Sequence, residues 1–414
     1  MQTDYSTLKQ LDWQFGDFKK EAKNFTHDLH PYFGKFHPMI ARTLIEELAP
    51  DSKYIIDPFC GSGTTLVEAK ALGKNGIGVD ANPLASLMAQ VKTTSIDNFI
   101  LKDIYMNLPE YLLTKYEYID HYEVLEKIEI IKPEIHNEKK WFQDNVLKEL
   151  GLIKLSIEEY FQTKDWHEDK VQAAKNLCLL AFSRIITSVS NQQTESKYKA
   201  VDKNIENGVA IDKFVDHLRI CIDKIEDFNG STGNVEIEIH NSDSRYLNFI
   251  EDEKCDFLVT SPPYLNSWDY GLYHKFRFLW LNLGVKEYNN KEIGRHLRRV
   301  GDVVDRYRND MSLCLKEFSR VLKPGSYCCI VNANSIVKKE YVNTTEIIIE
   351  EARKADLILE DIVDKKVFGP HSGMHASLLT KKTEIKSNPA TEKMRTSGKE
   401  EQIIILKKYD SSKE

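Results

Sequence analysis

No stretch of this sequence approaches the ~20 consecutive apolar residues that a membrane span requires. The N-terminus, MQTDYSTLKQLDWQFGDFKK, also lacks the apolar core of a signal peptide. Both absences lead us to expect a cytoplasmic protein with no membrane partner. The seven cysteines include no CxxC pair and no Cys/His cluster at zinc spacing, and apart from the adjacent Cys328 and Cys329 they are scattered. Reduced thiols fit that pattern, and no metal site is expected. Positive charge is not in excess either, since the formal net charge is −7. A nucleic-acid partner therefore has to be met by local basic patches. The densest is GRHLRRVGDVVDRYRND, with Arg295, Arg298, Arg299, Arg306 and Arg308. On charge alone a solvated helix face is the plainer reading, with a phosphate-binding stripe as the alternative.

What is present suffices for a large core. Hydrophobic residues make up 41% and aromatics 10% of the 414 residues. Domains run ~100–200 residues, so more than one module fits. Short β-rich runs alternate with helical ones, the pattern of a doubly wound, mostly parallel α/β sheet. Seven runs read as strands: KYIIDPF from Lys53, NGIGVD ending at Asp80, NVEIEIH from Asn234, CDFLVT, SYCCIVNAN, LILEDIVDKKV and EQIIILKKY. Asn82 and Pro83 read as the cap and first residue of a helix. Met311, Leu315, Phe318 and Leu322 recur at helical spacing, and Pro324-Gly325 ends that run.

One interval breaks the alternation. Residues 100–230 contain Leu- and Ile-rich helical patterns and no convincing strand, far more than the ~30 residues of a usual crossover. The spacing therefore predicts a separate helical module between a first half, residues 1–99, and a second half, residues 231–414. The polar segment from Thr380 to Glu401 reads as a mobile loop before the last strand.

Chemistry concentrates at two turns. The first is DPFCGSGTTLVEAKALG. Gly61 and Gly63 permit a tight turn and close backbone approach to a ligand, and Thr64 opens a helix whose amides face the loop. No lysine follows as in a phosphate-binding Walker loop, and the third glycine of a dinucleotide fingerprint is missing. A purely structural turn would look the same. The carboxylates change that weighting. Asp57 precedes the glycines and Asp80 ends the second strand, where a carboxylate accepts from both ribose hydroxyls but repels phosphate. S-adenosylmethionine fits, because it joins an adenosine to a sulfonium rather than a phosphate.

The second turn is TSPPY, after CDFLV. Pro262 and Pro263 fix φ and remove two amide donors, so nearby carbonyls remain open to other donors. Ser261 and the Pro262 carbonyl suit an exocyclic amino group, and Tyr264 suits stacking on a planar base. A strand-ending loop with a packed tyrosine is the bland alternative.

DPFCGSGT followed by TSPPY resembles the paired signatures of amino-group DNA methyltransferases, in which the glycine loop binds S-adenosylmethionine and the proline turn holds a flipped base. Serine at the head of the turn is similar to cytosine-N4 members, where adenine-N6 members more usually carry Asp or Asn. HPYFGKFHPMIARTLIEEL resembles the cofactor-flanking segment, with Phe36, His37 and Pro38 matching best. NSDSRYL resembles a motif that would set Asp243 near the adenine. The resemblance covers residues 30–95 and 235–335 plus the final strand, and it implies a Rossmann-like methyltransferase sheet. It implies catalytic roles for Ser261, Pro262, Pro263 and Tyr264. It implies cofactor contacts from Phe36, His37, Pro38, Asp57, Pro58, Phe59, Gly61, Gly63, Thr64, Asp80 and Asp243. The implied substrate is double-stranded DNA, with a cognate restriction endonuclease as partner and the helical insert as target-recognition region. An adenine-N6 enzyme, an RNA amino-group methyltransferase and an inactive nucleic-acid-binding relative remain as alternatives. Oligomeric state is not legible.

Overall fold

The computed structural model describes residues 6–10, 13, 24–195, 197–265, 269–294, 303–337, 340–367 and 399–413. In chain order the strands are β1 (Tyr54–Asp57), β2 (Asn75–Val79), a hairpin of β3 (Gln192–Thr194) and β4 (Lys197–Ala200), β5 (Ile237–His240), β6 (Cys255–Thr260), β7 (Leu322–Ala333), a second hairpin of β8 (Ser335–Val337) and β9 (Glu340–Val342), β10 (Leu357–Val367) and β11 (Lys399–Lys408). Seven form one sheet in the order β10-β11-β7-β6-β1-β2-β5. The pairings β7-β6, β6-β1, β1-β2 and β2-β5 are parallel, and β11 is antiparallel to both its neighbours. All seven strands expected from the sequence are present in this sheet. Arg295, Arg298 and Arg299 lie outside the described residues, as does most of the expected mobile loop, whose last residues open β11.

The central strands are covered on both faces, as parallel strands must be. On one face Ile55, Phe257, Val259, Cys329 and Ile403 pack under helix α1 (Pro38–Leu48). The pleat sends Ile56, Ile77, Leu258, Cys328 and Ile404 to the other face, under residues of the helices Val303–Val321 and Thr344–Arg353. Helices α2 (Thr64–Ala71) and α3 (Pro83–Thr93) follow β1 and β2. Asn82 caps α3 by accepting from the amides of Leu84 and Ala85, with Pro83 at its first position, as the sequence predicts.

The interval at residues 100–230 is mostly helical, and the β3-β4 hairpin inside it departs from the helix-only expectation. Its strands are only three and four residues long, too short to display a period. The insert also lacks a core of its own. Leu150, Leu177, Phe182, Phe214 and Leu218 form one continuous buried cluster with Leu84 and Met88 of α3 and with Phe276, Phe278 and Trp280, which follow the proline turn. Among the described residues no helix is long and apolar enough to cross a membrane.

This shared core has a measurable consequence. Trp280 is fully buried and meets Phe142 and Phe182 edge-on. Trp280→Ala should cost about 3–5 kcal/mol, and calorimetry should show the insert and the sheet melting in one transition. A separate low-temperature transition confined to the insert would contradict the continuous core.

Candidate active site

The order of the sheet places β1 and β6 side by side while their following connections diverge, one toward β2 and one toward β7. Open α/β sheets form a crevice at such a point, beyond the carboxyl ends of the strands. The glycine loop leaves β1 there, and the proline turn leaves β6 there.

Gly61 adopts φ +50°, and a Cβ on it would come within 3.2 Å of the Tyr32 ring. Gly63 adopts φ +85° at the start of α2, and a Cβ there would meet the Ala89 backbone of α3 at 2.9 Å. Gly61 therefore serves the cavity, while Gly63 allows two helices to approach. Asp80 spans the loop from the far side. Its Oδ2 accepts from the Gly61 amide at 2.8 Å, and its Oδ1 accepts from the Asn82 amide at 2.8 Å. Burial pushes its pKa up to about 6, and these two amide bonds oppose that rise. Among the described residues no basic side chain pairs with Asp80.

Asp57 has a different place. It is buried, and its Oδ1 accepts from the Thr260 hydroxyl at 2.5 Å and the Phe59 amide at 3.1 Å. Its Oδ2 accepts from the Thr65 hydroxyl at 2.6 Å. One carboxylate thus ties the end of β1 to the last residue of β6 and to the first turn of α2. Burial raises its pKa to about 6 despite these donors.

The proline turn begins one residue beyond Thr260. The Ser261 hydroxyl donates to the Tyr264 hydroxyl at 3.4 Å, which in turn donates to Glu401 Oε1 at 3.4 Å. Among the described residues none donates to the Pro262 carbonyl. Tyr32 and Tyr270 stack beside the glycine loop, with ring centroids 5.1 Å apart and planes at 12°. The Tyr270 hydroxyl donates to the Phe33 carbonyl at 2.8 Å, which fixes that pair across the mouth.

A single cavity brings together Phe36, Phe59, Gly61, Thr64, Asp80, Asp243, Ser261, Pro262, Pro263 and Tyr264. The other candidate residues stand behind its wall. His37 caps α1 by accepting from the Met39 amide, and Pro38 is the first residue of that helix. The Pro58 carbonyl accepts from the Ser244 hydroxyl. Asp243 lines the cavity, but its carboxylate is gripped by Arg245, with Nη2 at 2.7 Å from Oδ2. Arg308, from the basic stretch, is committed to Glu350 and Glu351.

Sequence reasoning missed Tyr32, Tyr270, Glu292 and Glu401, all of which line the cavity. Tyr32 lies within the quoted HPYFGKF segment, so proximity to Phe36 was a usable signal. Glu401 had none, because it arrives from the far end of the chain through the pairing of β11 with β7 at Ala333.

Comparison with known proteins agrees with this geometry. A family model described as DNA methylase matches residues 2–90. The Type II methyltransferase M.MvaI of Kocuria varians is 30% identical over 393 residues, spanning 82% of this chain and 83% of that protein. The Type II methyltransferase M.MjaII of Methanocaldococcus jannaschii is 24% identical over 351 residues, spanning 65% of each. The chain belongs to the amino-group DNA methyltransferase family, whose members use S-adenosylmethionine. The cavity fits that cofactor on its own evidence. A desolvated carboxylate without a basic partner suits a ligand carrying hydroxyl donors and positive charge, and Phe36 and Phe59 supply apolar wall.

Two outcomes follow. Asp57→Ala removes the acceptor of the buried Thr65 and Thr260 hydroxyl protons, at about 1–3 kcal/mol per unsatisfied donor, and denaturant unfolding should show the loss. An unaltered unfolding midpoint would remove Asp57 from its tying role. A carboxylate accepts from hydroxyls best when ionised, and the raised pKa of Asp80 means that protonation competes below pH about 6. Cofactor affinity measured by calorimetry should therefore fall as pH drops through 6. Asp80→Ala should weaken binding roughly tenfold or more and flatten the pH dependence. A variant with wild-type affinity and slope would exclude Asp80 from the site.

Proposed function

We propose that the chain is a site-specific methyltransferase acting on the exocyclic N4 amino group of cytosine in double-stranded DNA. The observation that carries this reading is Ser261, in place of Asp or Asn, at the head of a proline turn that opens into the same cavity as Asp80. In this reading Asp80, the Gly61 backbone, Thr64, Phe36 and Phe59 hold the cofactor. Asp57, Pro58, Gly63, His37 and Pro38 shape its pocket from behind, and Asp243 closes one side together with Arg245. The insert carries target selection within the catalytic unit. A cognate restriction endonuclease is the partner that the type II names of the relatives suggest, and the cytoplasm is the compartment.

An aromatic amino nitrogen is a poor nucleophile, because its lone pair is delocalised into the ring. S-adenosylmethionine supplies, when bound, an electrophilic methyl group. The chain's task is to position the base and to free the lone pair. The Ser261 proton points to Tyr264, so the hydroxyl presents lone pairs to the cavity. With the Pro262 carbonyl it offers two acceptors for the two N–H groups, which favours a pyramidal nitrogen with a directed lone pair. Tyr264 stacks on the base, and the surplus proton leaves to water.

Nucleoside mass spectrometry on DNA from cells expressing the protein tests this directly. N4-methylcytosine is the expected product, and N6-methyladenine alone would overturn the base assignment. On a cognate duplex, Ser261→Ala should lower turnover roughly tenfold or more, because the acceptor matters most as charge develops on nitrogen. DNA affinity should change far less. Wild-type turnover in that variant would sink the base-holding role of Ser261.

A further inference from the structure

We propose that the β3-β4 hairpin, with the lysines gathered around it, is the surface that receives the phosphate backbone of duplex DNA while a base occupies the cavity. The proposal rests on reading the chain as a DNA methyltransferase.

Two lysines lie against one aromatic stack, and two more stand on the exposed face of the strand that carries it. In β4 the pleat turns Lys197 and Lys199 to solvent and Tyr198 inward. Tyr198 stacks on Trp141, with centroids 4.5 Å apart, and lies 5.7 Å from Phe276. Lys140 Nζ sits 5.2 Å from the Trp141 ring centroid, and Lys275 Nζ sits 5.9 Å from that of Tyr198. Cation–π contact steadies the Lys140 and Lys275 ammonium groups without neutralising them.

Many lysines of the insert are matched to acids, as in Lys115 and Lys127 with Glu159, Lys164 with Asp103 and Lys175 with Glu158. Others, such as Lys102 and Lys213, enter no ion pair among the described residues, so the aromatic base and the link to the catalytic turn set this patch apart. Among the described residues Lys140, Lys197, Lys199 and Lys275 enter no ion pair. Of the neighbouring acids, Glu195 at the hairpin tip pairs with Arg277 and Glu138 with Lys132. In a chain of net charge −7, cations held on a rigid base suit a polyanion.

The hairpin is also fixed relative to the catalytic turn. Fully buried Arg277 forks onto both Glu195 oxygens at 2.7 Å and donates to the Ser183 carbonyl at 2.9 Å. The Asn191 amide donates to the Trp141 carbonyl at 2.7 Å, and the Gln192 side chain reaches the Tyr273 carbonyl at 3.4 Å. Tyr273 belongs to the helical turn Tyr270–Tyr273, which follows the proline turn and begins at cavity-lining Tyr270. Backbone positioning and base extrusion would then be held in one rigid frame.

The test is fluorescence anisotropy with a mixed-sequence DNA duplex over a range of salt. Each lysine that neutralises a phosphate contributes roughly 0.9 to the slope of log affinity against log salt. The double variant Lys197→Ala/Lys199→Ala should lose roughly 1.8 from that slope while binding S-adenosylmethionine as tightly as the parent by calorimetry. Lys53→Ala, at the exposed start of β1 on the opposite end of the sheet, should change neither. An unchanged slope in the double variant overturns the surface alone. If the parent chain binds no DNA duplex, or binds duplex RNA more tightly, the surface and the underlying function both fall.

Discussion

A single buried carboxylate joins the two halves of the site. Asp57 accepts from Thr65 on one side and Thr260 on the other. Without it the loop after β1 and the turn after β6 would be joined by the register of Ile55 with Phe257 and Ile56 with Leu258 and by the Phe59 amide, which donates to the Thr260 hydroxyl at 3.2 Å. With it, the residue next to Ser261 and the helix that opens the glycine loop are set against the same two oxygens. The geometry of the glycine loop and that of the proline turn therefore share an origin. The raised pKa of Asp57 shows that burial outweighs three hydrogen bonds, so the group is retained at an energetic cost.

Acids outnumber bases at the cavity, where Asp80, Asp243, Glu292 and Glu401 stand with Lys35 and Lys291. Unpaired lysines lie outside, around the Trp141–Tyr198 stack. An acidic net charge is compatible with a polyanionic substrate where local groups of lysines such as these are exposed, which the summed charge of the chain conceals.

Much of the sheet was legible because its strands are apolar runs bounded by sharp signals, as with Ile55-Ile56 before Asp57-Pro58 and Val259 before the two prolines. That the glycine loop and Asp80 meet at one cavity was legible for a related reason, since a βα turn keeps its groups close in sequence. Tyr270 and Glu401 were not, because they enter the cavity through tertiary contacts across 237 residues to Phe33 and 137 residues to Tyr264. Sequence logic also assigned Asp57 to the ligand, and only the partners of its oxygens reveal that it faces the protein. The insert was legible as helical from its periodicity, but its dependence on Leu84, Met88 and Trp280 was not, since an apolar helix face does not announce its neighbour.

That continuous core bears on how such an enzyme can diversify. A recognition region with a private interior can be exchanged between relatives as a cassette. Here an exchanged insert would also have to match the knobs and hollows presented by α3 and by the helices after the proline turn. Wholesale recombination should therefore yield misfolded chimeras more often than new specificities. Point changes on the solvent face of the β3-β4 hairpin disturb no shared packing, so any limit on change there comes from what its lysines bind and not from the core.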